Sequence, residues 1–417
     1  MPHGIMRRRR RMLAARNAWM NIEGAAAMSP ILTAGGGIAG LATAIALANG
    51  GRDVLVLEQA AAFEEVGAGI QMGPNGRRAL EALGAWEALA EKVVYPQAIR
   101  IRKAASGKEL ARVPLGDAFR ERFGTAYQVV HRADLLNALL AVARETGRVE
   151  LRTGARVERF DFTGRGVMAW LADGAFVNGS LLIGADGIRS AVREQVVGDG
   201  PPRLSGHVLY RALVEADQVP DMVDTSSVNL WLHRGGHVVH YPVSGGKHFN
   251  IVAAVDEAWE DEGWSTPSDG EILTHTFAKV ADELAAVLAL PEGRWLRWAA
   301  ADREPVEGWS QGRATLIGDA AHPTLPYLAS GAVMALEDAV VLGRALDREK
   351  DAAAAFRAHE RARQPRTAQI VRRSHKLAKV YHASGPMALG RDLYLKSRDG
   401  EKSLEDMAWL YDWRPFM

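Results

Sequence analysis

Three glycine-rich turns, each preceded by a short apolar run, are where this sequence can hold a ligand with its backbone. Gly35-Gly36-Gly37-Ile38-Ala39-Gly40 follows Ile31–Ala34 and opens an Ala/Leu-rich run over 41–48. A second apolar run, Val54–Leu57, ends at Glu58. Strand, glycine turn, helix, strand and acid in that order make a dinucleotide-binding βαβ unit. Gly35 permits the tight turn, Gly37 lets backbone N–H groups approach a diphosphate, and Gly40 lets the helix pack on the strand. The helix N-terminus adds a partial positive charge, worth about 0.3–1 kcal/mol toward an anion. Glu58 can accept hydrogen bonds from ribose hydroxyls, at about 1.5–3 kcal/mol each.

The other two turns are Gly184-Ala185-Asp186-Gly187, after Leu181-Leu182-Ile183, and Gly318-Asp319, after 314–317. One ligand touching all three strand ends must be longer than a nicotinamide half. FAD fits, with adenosine at the first turn and the pyrophosphate and ribityl chain near the third.

The elements that must position these turns alternate in type. Residues 65–76 are glycine- and proline-rich and read as a loop, followed by a helix over 77–89 with Leu80, Leu83, Trp86 and Leu89 at helical spacing. Residues 94–113 read as antiparallel strands about Ser106-Gly107. Residues 127–136 read as a strand entering a helix buried through Leu135, Leu136, Leu139 and Leu140. Further strands are expected at Val149–Arg152 and 155–160, then a second sheet over 207–256 that carries five of the twelve histidines. An amphipathic helix is expected over 271–288 and another over 331–346, with a largely helical end. The fold class is therefore α/β: a Rossmann-like FAD-binding domain interrupted by an antiparallel β-sheet substrate domain, with a helical C-terminal region. The expected division is 28–93, 125–200 and 300–350 for the FAD domain, 94–124 and 201–299 for the substrate domain, and 351–417 for the helical region.

Composition excludes several classes. The 417 residues are 48% hydrophobic and 24% charged, ordinary for a globular chain, and no apolar run is long enough to span a membrane. Zero cysteines exclude disulfides, thiolate metal sites and cysteine nucleophiles, and fit a cytoplasmic location. No metal site is expected. Residues 1–27 hold six arginines against Glu23, which leaves the remainder at −4 from a total of +1, so the folded body offers no nucleic-acid surface. Those residues read as a disordered extension before a native start near Met28.

Jointly, the glycine fingerprint, the segment from Gly184 through Asp186-Gly187-Ile188-Arg189-Ser190 to Arg193, and Gly318-Asp319-Ala320-Ala321-His322-Pro323 resemble the single-component, FAD-dependent aromatic hydroxylases. The likeness runs from about Met28 to the C-terminus. It implies that Gly318-Asp319 faces the ribityl and pyrophosphate part of FAD, that Asp186-Gly187 serves flavin and nicotinamide binding, and that Arg132 lies near the flavin. It also implies that Gly331-Ala332 begins a helix aimed at the isoalloxazine carbonyls, where a positive helix end stabilises the charge of reduced flavin. A plainer reading has Asp186 and Asp319 capping helices.

Within that family, residues 237–247 and 298–305 and the tail Met407-Ala408-Trp409-Leu410-Tyr411 resemble 3-hydroxybenzoate 6-hydroxylases, with salicylate 1-hydroxylases and 6-hydroxynicotinate 3-monooxygenases as near neighbours. The resemblance makes His237 and Tyr241 the catalytic pair facing the substrate. On a strand, residues i and i+4 share a side, and His240 points the other way. An unperturbed His237, near pKa 6.5, suits taking a phenol proton. The alternatives are a histidine bonded within the sheet, or His207 as the base. The loop residues Pro326, Tyr327 and Ser330 are expected against the substrate, but Pro326 and Ser330 stand where the 6-hydroxylases carry Gln, which leaves the ring position open.

The implied reaction hydroxylates a small phenolic acid with NADH or NADPH and O2, through a flavin C4a-hydroperoxide. A homodimer is compatible with it. A halogenase lacks support, because Trp295-Leu296-Arg297-Trp298 has the wrong tryptophan spacing. A non-catalytic nucleotide-binding module is the rival from another class.

Overall fold

A computed structural model describes residues 29–63, 68–398 and 400–414. The expected extension and the start near Met28 lie outside the described residues, as does 64–67 of the glycine-rich segment.

Six strands form one sheet in the order Ser310–Gln311, Ala314–Leu316, Leu182–Gly184, Ile31–Ala34, Val54–Leu57, Val149–Arg152. All pairs are parallel except the Ser310–Gln311 hairpin. The central strands are apolar at nearly every position because both faces are covered. Ile31, Val54 and Val56 pack with Ala44 and Leu342, while Leu32, Leu55 and Leu57 pack with Phe160, Val192 and Trp309. On the first face, the helix Ile38–Asn49 lies against Gly331–Arg348, and Leu41 and Ile45 share a cluster with Leu135, Leu139 and Leu336. On the other, Val157–Phe162, Val167–Leu171 and Phe176–Gly179 form an antiparallel meander. The three glycine turns thus leave three adjacent strands at their C-terminal ends, where open α/β sheets bind ligands.

The second sheet has eight strands, ordered Ser265–Ser268, Trp295–Asp302, Arg203–Glu215, His248–Asp256, Gly236–Val243, Val228–His233, Ala98–Lys103, Glu109–Pro114. It is not wholly antiparallel as expected. Val228–His233 pairs parallel with Ala98–Lys103, which a connection of more than a hundred residues allows.

Three local expectations give way to tertiary context. Residues 65–76 are not simply a loop: Gly69–Met72 is a strand paired with Gln128–His131, and Pro74 already starts the next helix. That helix stops at Leu83, where Gly84 turns left-handed at φ 73°, and Trp86–Leu89 is a separate turn. The helix expected over 271–288 is two, Glu271–Thr276 and Asp282–Ala289. Between them Phe277 enters the core and the Ala281 N–H bonds to the Ala104 carbonyl at 2.8 Å, which a continuous helix would forbid.

The C-terminal region is helical, as expected: Ala352–Tyr381, Gly385–Lys396 and Gly400–Tyr411. Tyr411 meets Phe119, Phe123 and Tyr127 edge-on at centroid distances of 5.7–5.9 Å, fastening the tail to the body. Among the described residues, no helix is long and apolar enough to cross a membrane.

Candidate active site

A cavity opens between the glycine turns and one face of the eight-stranded sheet. The glycines divide by what surrounds them. A Cβ on Gly35 would collide with the backbone of Ala185, one on Gly40 with the carbonyl of Gly35, and one on Gly318 would sit 2.8 Å from the Ala39 Cβ. These three serve packing and do not line the cavity. Gly37 and Gly187 do line it, and a Cβ on either would meet nothing within 4 Å; Gly331 has only Thr324 Cγ2 at 3.7 Å. At Gly37 and Gly331 this is space that no protein atom uses, while Gly187 is also required by its left-handed φ of 76°.

Two helix N-termini reach the same cavity. Neither Ile38–Asn49 nor Gly331–Arg348 has a side-chain cap or an acid in its first turn. Their first N–H groups lack intrahelical partners, and their partial positive charge faces the space. Arg132, Asp319, Ala185 and Ala332 complete this wall. A long ligand with a diphosphate at its middle and a flat ring with electron-rich carbonyls at one end, as in FAD, fits these donors.

Two expected ligands are engaged by the fold. Glu58 accepts from the Gly36 N–H at 2.6 Å and from the Ala60 N–H at 2.8 Å, so its carboxylate holds the fingerprint turn. The Asp186 carboxylate accepts from the Ser190 hydroxyl, from the Ala191 N–H at 2.8 Å and from the Val192 N–H at 3.2 Å, so it caps Ala191–Val196. Asp186 itself is absent from the cavity wall; its neighbours Ala185 and Gly187 form it. Burial raises the Asp186 carboxyl above its usual range, against the pull of those donors.

Ionic contacts fix the turns. Asp338 accepts from the Gly318 N–H at 3.0 Å and from Arg363 Nε at 2.7 Å, while Glu337 pairs with Arg363 at 2.7 Å and Arg366 at 2.8 Å. Arg193 donates to the carbonyls of Ala320 and Ala321 at 2.8 and 2.7 Å, tying the second turn to the third. Arg193 and Arg363 are positioning residues that carry no local sign of this role, since their partners lie 127 and 25 residues away.

The facing wall follows from strand register. His237, Val239 and Tyr241 alternate onto one side of Gly236–Val243, opposite Ala254, Val252 and Asn250; Leu209 and Arg211 occupy the next strand in the same rows. His237, Val239, Tyr241, Leu209, Arg211 and Val252 all line the cavity. His240 faces the other way, into the core, and accepts from Trp231 Nε1 at 2.8 Å. Gly69 leaves room for the Tyr241 ring, whose hydroxyl a Cβ there would approach to 2.8 Å. From the 326–332 loop, Pro326 and Ser330 line the cavity and Tyr327 does not. The Tyr327 hydroxyl bonds to His207 Nδ1, and its ring packs against His237 at 5.3 Å, behind the wall.

His237 is only 5% exposed, and its Nδ1 lies 2.8 Å from His382 Nε2. Its pKa is not the ordinary one expected: burial, then the neighbouring His382 and His207, push it well below 6.5. The ring is neutral at pH 7, with Nε2 left for a ligand in the cavity. Arg211, with its guanidinium 5.2 Å from the Trp298 ring, supplies a cation that the motifs did not single out.

A parallel sheet with glycine turns at three adjacent strand ends, covered by a β-sheet across a cavity that His237, Tyr241 and Arg211 line, is the architecture of an FAD-dependent aromatic monooxygenase. The chain belongs to the FAD binding domain family, whose profile matches residues 28–374. It is 43% identical to a 3-hydroxybenzoate 6-hydroxylase of Polaromonas naphthalenivorans (strain CJ2), over 92% of this chain and 96% of that one. It is 41% identical to the 3-amino-4-hydroxybenzoate 2-monooxygenase PtnB3 of Streptomyces platensis, over 91% and 95%. Among solved structures, Klebsiella pneumoniae HpxO complexed with FAD and uric acid superposes with a TM-score of 0.81 at 29% identity, covering 92% of this chain and 96% of that one.

Proposed function

We propose that the chain hydroxylates 3-hydroxybenzoate at ring position 6, giving gentisate, with NAD(P)H and O2 as co-substrates. The observation that carries this reading is the cavity wall on which His237, Tyr241 and Arg211 face the helix N-terminus at Gly331. It offers one base, one phenol and one cation to a flat ring that carries a hydroxyl and a carboxylate. The likeness to the Polaromonas enzyme supports the same substrate.

When bound, FAD supplies hydride acceptance from NAD(P)H and activation of O2, which no side chain of this protein can provide. Gly37, Gly187, Gly331, Ala332 and Arg132 would hold it, with Asp319 at the ribityl chain and Glu58 near the adenosine ribose. The chain's own residues do the rest. Arg211 binds the substrate carboxylate, and Tyr241 and Val239 orient the ring. His237 takes the phenol proton, which raises electron density at the ring carbon to be attacked; such a base contributes roughly 10²–10⁴ in rate. Leu209, Val252 and Pro326 keep water away, so that oxygen is transferred to the ring and not lost as peroxide.

A second reading rests on Pro326 and Ser330, which offer no amide to a substrate hydroxyl: salicylate or 6-hydroxynicotinate chemistry at the same site. Product analysis across 3-hydroxybenzoate, salicylate, 3-amino-4-hydroxybenzoate and 6-hydroxynicotinate decides. Gentisate from the first with NADH consumption supports the main reading; peroxide alone sinks it. We also infer that residues 28–93, 125–200 and 300–350 act as the FAD unit, that the enzyme is cytoplasmic, and that it is a homodimer. Limited proteolysis, fractionation and sedimentation test these.

A further inference from the structure

We propose that His237, His382 and Asp256 form a relay that carries the substrate's phenol proton out of the closed cavity to solvent. His382 and Asp256 act through His237 and touch no substrate. The proposal rests on the reading of His237 as the base.

The three groups are continuous. His237 Nδ1 is 2.8 Å from His382 Nε2, and His382 Nδ1 bonds to Asp256 Oδ1. The inner ring is 5% exposed and the second 8%, while the Asp256 side chain is 54% exposed, so the chain begins inside and ends in water. Three separate elements supply it: the strand Gly236–Val243, the residue after the helix Ala352–Tyr381, and the end of the strand His248–Asp256. The turn at Gly235 clamps the outer pair. Its N–H donates to the His382 carbonyl at 3.2 Å, and its carbonyl accepts from the Asp256 N–H at 3.0 Å. His382 also follows the C-terminus of a thirty-residue helix, whose negative end favours a transient imidazolium. The other groups around His382 are His207, stacked at 4.5 Å with its Nε2 3.4 Å from Asp256, and Tyr327, with Tyr381 and His375 beyond.

A base in a water-excluding cavity works again only if its proton leaves. Burial keeps both His237 and His382 below their usual pKa, so neither ring retains a proton for long. In the transfer, the phenol O–H breaks as an N–H forms at His237 Nε2. The Nδ1 proton of His237 moves to His382 Nε2, and the Nδ1 proton of His382 moves to Asp256, which releases it to water or buffer. Run backward, the same chain protonates the product oxygen and resets both tautomers.

The test mixes FAD-loaded enzyme with 3-hydroxybenzoate in a stopped-flow instrument, with a pH-indicator dye in weak buffer, for wild type, Asp256→Asn and His382→Ala. Proton release should slow about tenfold or more in both variants, with ligand affinity changed less than about threefold, and added imidazole should restore it in H382A. Asp256 is half exposed, so D256N keeps the fold even if H382A does not. Release at the wild-type rate in D256N, with hydroxylation intact, overturns the relay alone. So does loss of activity on EDTA treatment that zinc reverses, because the cluster would then be a metal site. If wild type hydroxylates no hydroxybenzoate, the functional reading fails and the relay with it.

Discussion

The backbone N–H of Gly318 donates to Oδ2 of Asp338 at 3.0 Å, and that carboxylate is held in turn by Arg363. The cofactor turn and the helix Gly331–Arg348 are thereby one unit, and the buried ion pair sets the distance between them. Removing one member of such a pair costs about 3–5 kcal/mol, because the other charge is left buried alone. Asp338→Asn should therefore lower the melting temperature and release FAD on gel filtration. Burial pushes the Asp338 carboxyl up, but His322 and Arg363 outweigh it and hold it below the usual range. The stabilisation is thus present above the unfolded value of about 3.9 and is lost as pH falls from there toward the folded pKa.

Gly37 and Gly40 lie three residues apart and should fail in different ways. A side chain at Gly40 would strike the Gly35 carbonyl, so Gly40→Val should prevent folding. One at Gly37 meets no protein atom, so Gly37→Val should leave the apoprotein's melting temperature within about 1 °C, roughly the effect of a few tenths of a kcal/mol. It should nevertheless weaken FAD binding by about tenfold or more, since each 1.4 kcal/mol lost is a factor of ten. Failure of Gly37→Val to fold, as expected of Gly40→Val, would mean that the space at Gly37 is not kept for a ligand.

His237→Gln should retain flavin and lose roughly 10²–10⁴ of the hydroxylation rate, while NADH oxidation continues with peroxide as product. Because burial depresses His237, wild-type activity should persist well below pH 6.5 before the acid limb appears. Stability behaves differently. Burial also lowers His240 to about 3 and His359 to about 4. For all three the unfolded chain binds more protons below pH 6.5, so each costs about 1.4 kcal/mol per pH unit as pH falls toward the folded value. Melting temperatures between pH 7.5 and 5 should fall steeply, and a flat profile would contradict the buried neutral rings.

Arg211→Met should raise KM for 3-hydroxybenzoate by about 10–150-fold, the equivalent of 1.5–3 kcal/mol for a bond to a charged group. A phenol lacking the carboxylate should show little change. An equal effect on both would assign Arg211 to the fold, through its contact with Trp298.

Much of this was legible because the glycine turns are local events: strand, turn and helix are contiguous, so Gly35 to Gly40 announced their geometry. The alternation of His237, Val239 and Tyr241 was equally legible, since a strand has period two. What stayed hidden depends on distance in the chain. Arg211, His382, Asp256 and Arg363 carry no motif, and only the pairing of Arg203–Glu215 with His248–Asp256 and the docking of the long helix bring them to the site. Tyr327 sits off the cavity wall that its neighbours Pro326 and Ser330 line, because its hydroxyl turns to His207, a partner 120 residues away that no local pattern marks. Asp186 shows the reverse, a motif residue whose carboxylate serves the backbone that shapes the wall.

The uncapped starts of Ile38–Asn49 and Gly331–Arg348 have a consequence beyond chemistry. Their first N–H groups have no intrahelical or side-chain acceptor and face the cavity, so the cofactor completes the two helices as a cap would. Binding to the folded form alone adds about 2.7 kcal/mol at a hundred times the dissociation constant. The flavin-free chain opens more often and is the better protease substrate, so the amount of this enzyme in a cell should rise and fall with the supply of riboflavin.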